Sequence, residues 1–307
     1  MKRAAVFVLF LVIGAMAGLP GYAADLKVWS AVDGADKAGK EEPKDPKMAE
    51  AQKDFNLGLI NMQHGDLDKA EGHFKEAVRL NPASINARLY LADVYQKNKK
   101  SVEAVNLYRD VIKTDPTDPR AYNLLMAVYI GKINVPQEAA KVGEEAIKAG
   151  VPEGDVSAAL GWSYYLMGEM DKAEPLFKKL TETDKKDSSA LNNLGLVYFG
   201  QGRYKEAAGC FDEAGRINTG STLAPYFAAL AYNKLGEEGK VKESLTEGVK
   251  RDPELGSKAK AYNRQFFPNG DPGDLSVLLD SMKKPEKIED KKPEQKPENK
   301  DGKKEEK

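Results

Sequence analysis

The side chains that could support catalysis or bind a metal ion are few and scattered in this 307-residue sequence. It contains two histidines, His64 and His73, and a single cysteine, Cys210. Zinc sites need such side chains at short, fixed spacings, and neither a His-x-x-Glu-His nor a Cys-x-x-Cys motif is present. A GxxxxGK[ST] phosphate-binding loop is also missing. We therefore predict no catalytic residues, no metal and no cofactor; an enzyme remains an alternative only if a site is hidden in the loops.

The same three side chains are assigned structural roles. One cysteine cannot form an intrachain disulfide, so packing alone must hold the fold. Cys210 lies beside an aromatic residue on a predicted helix and is expected to be small and partly buried rather than reactive. The two histidines are expected to face solvent.

Charge excludes one class of partner. The chain has 47 basic and 48 acidic residues, which gives a formal net charge of -1 at pH 7. A balanced chain has no overall field that attracts polyanions. We therefore predict that nucleic acid is not a partner.

The elements that carry these residues are revealed by a period of 34 residues. Small, aromatic and proline residues recur in phase at that spacing. Matching sets are Gly58 and Ala92; Ala70 and Ala104; Phe74 and Tyr108; Pro82 and Pro116; Gly161, Gly195 and Ala229; Tyr164, Tyr198 and Tyr232; Ala173 and Ala207; and Phe177 and Phe211.

The residue pattern within each 34-residue period predicts two helices. A Leu-Gly-x-x-Tyr motif places large and small residues on one face of the first helix, and apolar residues at i, i+4 and i+7 form a stripe on the second. A small residue opposite a large one lets the two backbones approach closely. Glycines suited to a left-handed turn separate the helices, and prolines follow the second helices. The turn glycines are Gly65, Gly168, Gly202 and Gly236.

These residues resemble the tetratricopeptide repeat (TPR) family over roughly two thirds of the chain. The resemblance implies an all-α solenoid, a right-handed superhelix of helix-turn-helix repeats that binds a protein or peptide in its concave groove. We count six units, which begin near Ala51, Ile85, Pro119, Gly154, Ser188 and Thr222.

Two units depart from the pattern, and the array needs an end. In unit three one extra residue precedes Ala139, so we expect a bulged turn with Pro136 starting the next helix, while Gly143 replaces an aromatic. Unit six should pack more loosely.

The sequence after unit six predicts a capping helix, because Leu255, Ala259, Tyr262 and Phe266 share a helical face, and a short terminal helix follows it.

The predicted organisation has five parts. Residues 1–23 read as a signal peptide, 24–46 as a polar linker, 47–254 as six TPR repeats and 255–282 as the capping and terminal helices. Residues 283–307 are almost entirely Lys, Glu, Asp and Pro and are expected to be disordered.

The N-terminus predicts export from the cytoplasm. Two basic residues precede an apolar run that ends near Leu19, and Gly21 and Ala23 are small residues suited to a cleavage site after Ala23. The mature protein would be periplasmic or secreted. The alternative is an uncleaved helix that anchors the protein in the membrane facing the periplasm, because the run is only slightly shorter than a spanning helix. A membrane is a partner only in that case.

A candidate binding surface follows from the resemblance and from helical phase. Positions 2, 5, 9 and 12 of each unit avoid the repeat core. They are mostly polar in units two and three and aromatic or apolar in units four to six. The candidate groove residues are Arg120, Asn123, Trp162, Tyr165, Asn192, Leu196, Phe199, Tyr226 and Leu230.

The predicted ligand is an apolar or amphipathic segment of another protein. Family members that grip a C-terminal carboxylate use Lys, Asn and Arg at fixed groove positions, and Arg120, Asn123 and Asn192 reproduce only fragments of that set. Two alternatives remain open: the rings pack on each other or are covered by the chain's own ends, and the protein is a membrane-anchored assembly or holding factor for envelope or secretion machinery.

Overall fold

A computed structural model describes residues 45–282, and this part of the chain is all-α, as the sequence predicts. The predicted signal peptide, nearly all of the linker and the charged tail lie outside the described residues. The helices are α1 (Pro46–Gln63), α2 (Leu67–Leu80), α3 (Ile85–Lys97), α4 (Ser101–Thr114), α5 (Pro119–Val128), α6 (Pro136–Lys148), α7 (Glu153–Leu166), α8 (Met170–Thr183), α9 (Ser188–Gly200), α10 (Tyr204–Ile217), α11 (Leu223–Leu235), α12 (Glu238–Arg251), α13 (Leu255–Phe266) and α14 (Ser276–Met282).

The first twelve helices form six pairs, which we number units one to six. Each helix packs on the next along the chain, and the first helices of units three, four and five also contact one another. Side-chain oxygens of Asp45, Ser84, Asp118 and Asp187 accept hydrogen bonds from backbone N–H groups at the start of α1, α3, α5 and α9. These caps satisfy donors that a helix cannot satisfy itself, so four first helices begin where the sequence supplies Asp or Ser.

The turns within units confirm the four predicted glycine positions. Gly65, Gly168, Gly202 and Gly236 have φ between 73° and 81°, the left-handed region. In unit two the same region is adopted by Lys99, with φ of 60°. The glycine pattern therefore predicts four of the six left-handed turns within units and misses Lys99 of unit two and Asn134 of unit three.

Unit three contains the predicted irregularity. Tyr129–Ile133 forms a π-helical turn, Asn134 adopts a left-handed conformation, and Pro136 begins α6. A π-turn accommodates one extra residue, which explains the longer spacing in this unit. The absent aromatic at Gly143 leaves no void, because Leu160 and Met126 pack over it.

The second helix of unit six buries its apolar positions, Val241 and Leu245. An open cleft of about 630 Å³ lies between α10, α11 and α12, lined by Gly215, Pro225 and several charged side chains. The looser packing expected of this unit stays a prediction.

Units one and two are joined by a buried carboxylate. Glu71 on α2 accepts hydrogen bonds from Lys75 Nζ at 2.6 Å, Lys100 Nζ at 2.8 Å and Asn98 Nδ2 at 3.1 Å. Burial alone would raise the pKa of Glu71, but the hydrogen bonds from Lys100, Lys75 and Asn98 outweigh it and hold the pKa at about 2. The ionised carboxylate therefore stabilises the contact between the two units.

We expect Glu71→Gln to lower the free energy of unfolding at pH 7 by about 1–3 kcal/mol, allowing for the half-exposed lysines. Because the folded pKa is depressed, this contribution is complete above the ordinary value near 4.5 and is lost as pH falls towards 2. Urea unfolding of both proteins from pH 7 down to pH 3 should show the difference shrinking. Glu76→Gln, which affects an exposed pair with Arg79 on the same helix, is the control and should change nothing measurable. A pH-independent difference would contradict the assignment.

Candidate functional site

The candidate groove is built by the first helices of units four to six. The 34-residue period places Trp162, Leu196 and Leu230 at one register position on α7, α9 and α11, and Tyr165 and Phe199 at another one turn further along. Equivalent positions on stacked helices lie side by side. The structure therefore brings the predicted rings together on one face of the array.

This face is not an open groove, which corrects the sequence-based expectation. The predicted residues of α7, α9 and α11 are buried, none more than 8% exposed. The chain's own C-terminal segment, residues 255–282, lies over them. Of the alternatives that the sequence left open, coverage by an end of the chain is the one observed.

The position of α13 extends the predicted capping role. Leu255 packs at the end of unit six beside Gly248, as a cap would. From there the helix runs back across the first helices, so that Phe266 reaches Trp162 in unit four, with ring centroids 6.3 Å apart. We call residues 255–282 the C-terminal strap. It covers the inner face as well as the end of the array.

Aromatic contacts join the strap to all three units. Phe266 also meets Phe227 of unit six at 5.2 Å between ring centroids, and Phe267 meets Phe199 of unit five at 4.9 Å. Both pairs have the edge-to-face geometry that aromatic rings favour. Two consecutive phenylalanines therefore act as anchors that span the groove.

Hydrogen bonds reinforce these contacts. The Tyr165 hydroxyl donates to the backbone carbonyl of Phe266 at 2.5 Å, and Asn269 Nδ2 donates to the carbonyl of Tyr165 at 2.7 Å. The Tyr226 hydroxyl donates to Asn263 Oδ1 at 2.7 Å. Burial raises the pKa of both tyrosines, so both hydroxyls stay protonated donors at neutral pH.

Three buried polar atoms on α7 and α9 have no hydrogen-bond partner in the array or the strap. They are Trp162 Nε1, Asn192 Oδ1 and Asn193 Oδ1. A buried polar atom without a partner carries its full desolvation cost. The indole that contacts Phe266 of the strap therefore keeps an unpaired N–H donor.

The two candidate residues of unit three have local partners. Arg120 pairs with Asp118 at 2.6 Å and donates to Asn86 Oδ1 at 3.0 Å. Asn123 Nδ2 donates to the Asp155 carbonyl at 2.8 Å, which links unit three to unit four. These contacts orient both side chains within the array rather than towards the strap.

Sequence reasoning missed three residues of this site, Asn263, Phe267 and Asn269. The useful signal was the adjacent pair Phe266 and Phe267 at the end of an amphipathic helix. Only one residue of such a pair can follow the apolar stripe, so the second ring requires a further apolar surface to cover it.

The histidines and the cysteine conform only in part to expectation. His64 is exposed, whereas His73 is half-buried with Nδ1 2.9 Å from Asp54 Oδ1, which corrects the prediction that both face solvent. Cys210 is half-buried, and burial raises the pKa of its thiol to about 11.

Across residues 45–282, no three His, Cys, Asp or Glu side chains gather in a way that could hold a metal ion. Within the same range, none of the helices has the length and apolar character needed to cross a bilayer.

Comparison with known proteins agrees with the geometry. Family models described as tetratricopeptide repeat match residues 61–128 and 158–221. The chain is 23% identical over 193 residues to protein O-mannosyl-transferase Tmtc3 of Drosophila melanogaster, across 63% of this chain and 17% of that protein. It is 23% identical over 232 residues to the peroxisomal targeting signal receptor of Kluyveromyces lactis, across 64% of this chain and 41% of that protein. The chain thus spans less than half the length of either relative.

Solved structures share the architecture. The chain superposes on pilF of Pseudomonas aeruginosa with a TM-score of 0.57 and 16% identity, over 78% of this chain and 100% of that one. At this level of identity the likeness concerns the fold. The in-phase helix pairs and the two repeat matches lead to one assignment: the chain belongs to the tetratricopeptide repeat family.

Proposed function

We propose that this protein is an interaction scaffold that binds a segment of another protein on the inner face of its repeat array. TPR proteins generally mediate protein–protein interactions, and the chemistry of this face supports the same role here. The proposed ligand is apolar or amphipathic, because the face presents Trp162, Phe199 and other rings, and aromatic residues dominate binding energy at interfaces. The proposal includes no nucleic acid and no cofactor.

One observation carries the proposal. The inner face of units four to six holds a helical segment, the strap's α13, through ring contacts and through a hydrogen bond from Tyr165 to its main chain. Binding an amphipathic helix by its apolar face is a recurrent mode of peptide recognition. The transferase activity in the name of the Drosophila relative is not part of the proposal, because the match spans 17% of that protein.

Site-specific photocrosslinking in intact cells tests the proposed binding face. A crosslinking residue at Asn123 or Ala158, half-buried on the inner face, should capture a discrete protein band. The same residue at Lys178, exposed on the outer helix α8, is the matched control and should not capture that band. Equal capture from both faces, or none from any inner position, would count against the proposal.

We further propose that the protein acts outside the cytoplasm, because the first 23 residues have the composition of a secretory signal. Cell fractionation followed by intact-mass measurement should give a soluble envelope or secreted protein that begins at Ala24. Recovery of the full-length chain in the membrane fraction would instead favour the anchored assembly or holding factor. A full-length chain in the cytoplasm would contradict both.

A further inference from the structure

The strap differs from the units that it covers. Units one to six are helix pairs, but α13 is followed by a turn containing Pro268 and Pro272 and then by the seven-residue helix α14. Phe266 falls on the repeat position of Tyr198 and Tyr232, but no second helix of repeat length follows α13. The strap is therefore not a complete seventh repeat.

The contacts of α13 are those of a bound helix. One face carries Leu255, Ala259 and Phe266, which are buried. The opposite face carries Ser257, Lys260 and Arg264, which are exposed. The Tyr165 hydroxyl of the array donates a hydrogen bond to the strap's main chain. The rings of Trp162 and Phe199 contact Phe266 and Phe267 of the strap. This is how a groove recognises an amphipathic helix with terminal anchors.

One unsatisfied atom gives another helix an advantage over the strap. Trp162 Nε1 is a donor that is buried without a partner, on an indole whose ring contacts Phe266 of the strap. A ligand that offered a carbonyl to the indole would gain a hydrogen bond that the strap does not make. The groove can therefore prefer a partner to its own strap.

We infer that the inner face of units four to six is a docking groove for an amphipathic helix ending in two consecutive aromatic residues, and that the strap occupies this groove until such a partner displaces it. The inference rests on the proposed function and adds the class of partner and the competition. A tethered segment competes at an effective concentration of about millimolar, so a free ligand binds weakly until the strap is loosened.

The test uses the strap's own sequence as the probe. A fluorescent synthetic peptide of residues 253–272 is titrated into the full chain and into the full chain carrying Phe266→Ala and Phe267→Ala. The variant keeps the groove but loses both anchors of the strap. We expect it to bind the peptide at least tenfold more tightly than the wild type.

Matched controls separate docking from unspecific adhesion. A peptide carrying the same two alanines should not bind. Arg264→Ala, which alters the exposed face of α13, should leave the chain as weak a binder as the wild type. Adding Tyr165→Phe to the double variant removes one hydrogen bond to the ligand backbone and should weaken binding about fivefold. A folded double variant that does not bind the peptide would overturn the inference.

A second measurement covers the case in which the double variant does not fold. A protease site inserted at Pro253, between α12 and α13, allows the strap to be cut from a chain of otherwise natural sequence. After cleavage, the labelled peptide should replace the released strap. If the strap stays in place against excess peptide, or if cleavage unfolds units four to six, the strap is a fixed part of the core and the inference fails.

The outcomes for the inference and for the proposed function can be told apart. Peptide binding to the double variant with no crosslinked partner supports the docking groove and counts against the scaffold role. A partner captured equally by the wild type and the double variant supports the scaffold role and overturns the competition. A partner captured more strongly by the double variant supports both.

Discussion

Gly195→Ala is expected to destabilise the protein, although alanine is the better helix former. A Cβ atom at Gly195 would lie 2.6 Å from Cε1 and 2.9 Å from Cδ1 of Phe211. Phe211 is fully buried and packs on the Phe227 ring with centroids 5.4 Å apart, so the ring has little room to move. Overpacking of this kind costs about 1–3 kcal/mol, which exceeds the gain of up to about 1 kcal/mol in helix propensity.

Gly209→Ala is the matched control and should have the opposite sign. Gly209 lies within α10, and a Cβ there meets no atom within 4 Å. The substitution should therefore raise the free energy of unfolding by up to about 1 kcal/mol. Urea unfolding of both variants, followed by circular dichroism, gives the two signs directly. Similar effects at the two positions would mean that α9 and α10 do not approach as closely as the structure requires.

The repeat array could be predicted because its packing is local and periodic. Gly195 meets Phe211 only sixteen positions later, and the same pairing occurs between Gly58 and Phe74 and between Gly161 and Phe177. Each copy of the motif requires the same close packing of a small residue against a ring. The sequence therefore contains several independent indications of the helix pairs, the turns and the repeat phase. The bulged turn of unit three could also be predicted, because the unit breaks a spacing that the other units keep, although its π-helical form could not.

The candidate site could be predicted only in part, because its contacts are long-range and occur once. Helical phase correctly placed the rings of α7, α9 and α11 on one face. The hydrogen bond from Tyr165 to Phe266, however, joins residues 101 positions apart, and no second copy shows the pairing. An amphipathic pattern states that a face is apolar but not what covers it. The sequence therefore predicted the helix and its contact with the end of the array, and left its contact with the inner face as one of two alternatives.

Replacing Trp162 and Phe199 together by Ala should produce the largest effect. Trp162 contacts Phe266, and Phe199 contacts Phe267. The double variant therefore removes one ring contact from each of the two anchors of the strap. Truncation of a buried aromatic residue costs about 3–5 kcal/mol, and the two losses should not simply add because both act through the strap. The melting temperature of units four to six should fall sharply, and the rate of amide hydrogen exchange should rise across α13.

Units one and two should remain protected in this variant, because repeat arrays transmit stability mainly between neighbours. Phe74→Ala is the matched control. It removes a fully buried ring from the separate cluster formed with Phe55 and Tyr90, which does not involve the strap. Both proteins should lose stability, but only the double variant should lose partner capture in its folded fraction. If the folded fraction of the double variant captures the partner as well as the wild type does, these rings serve only to pack the strap, and the ligand binds elsewhere on the array.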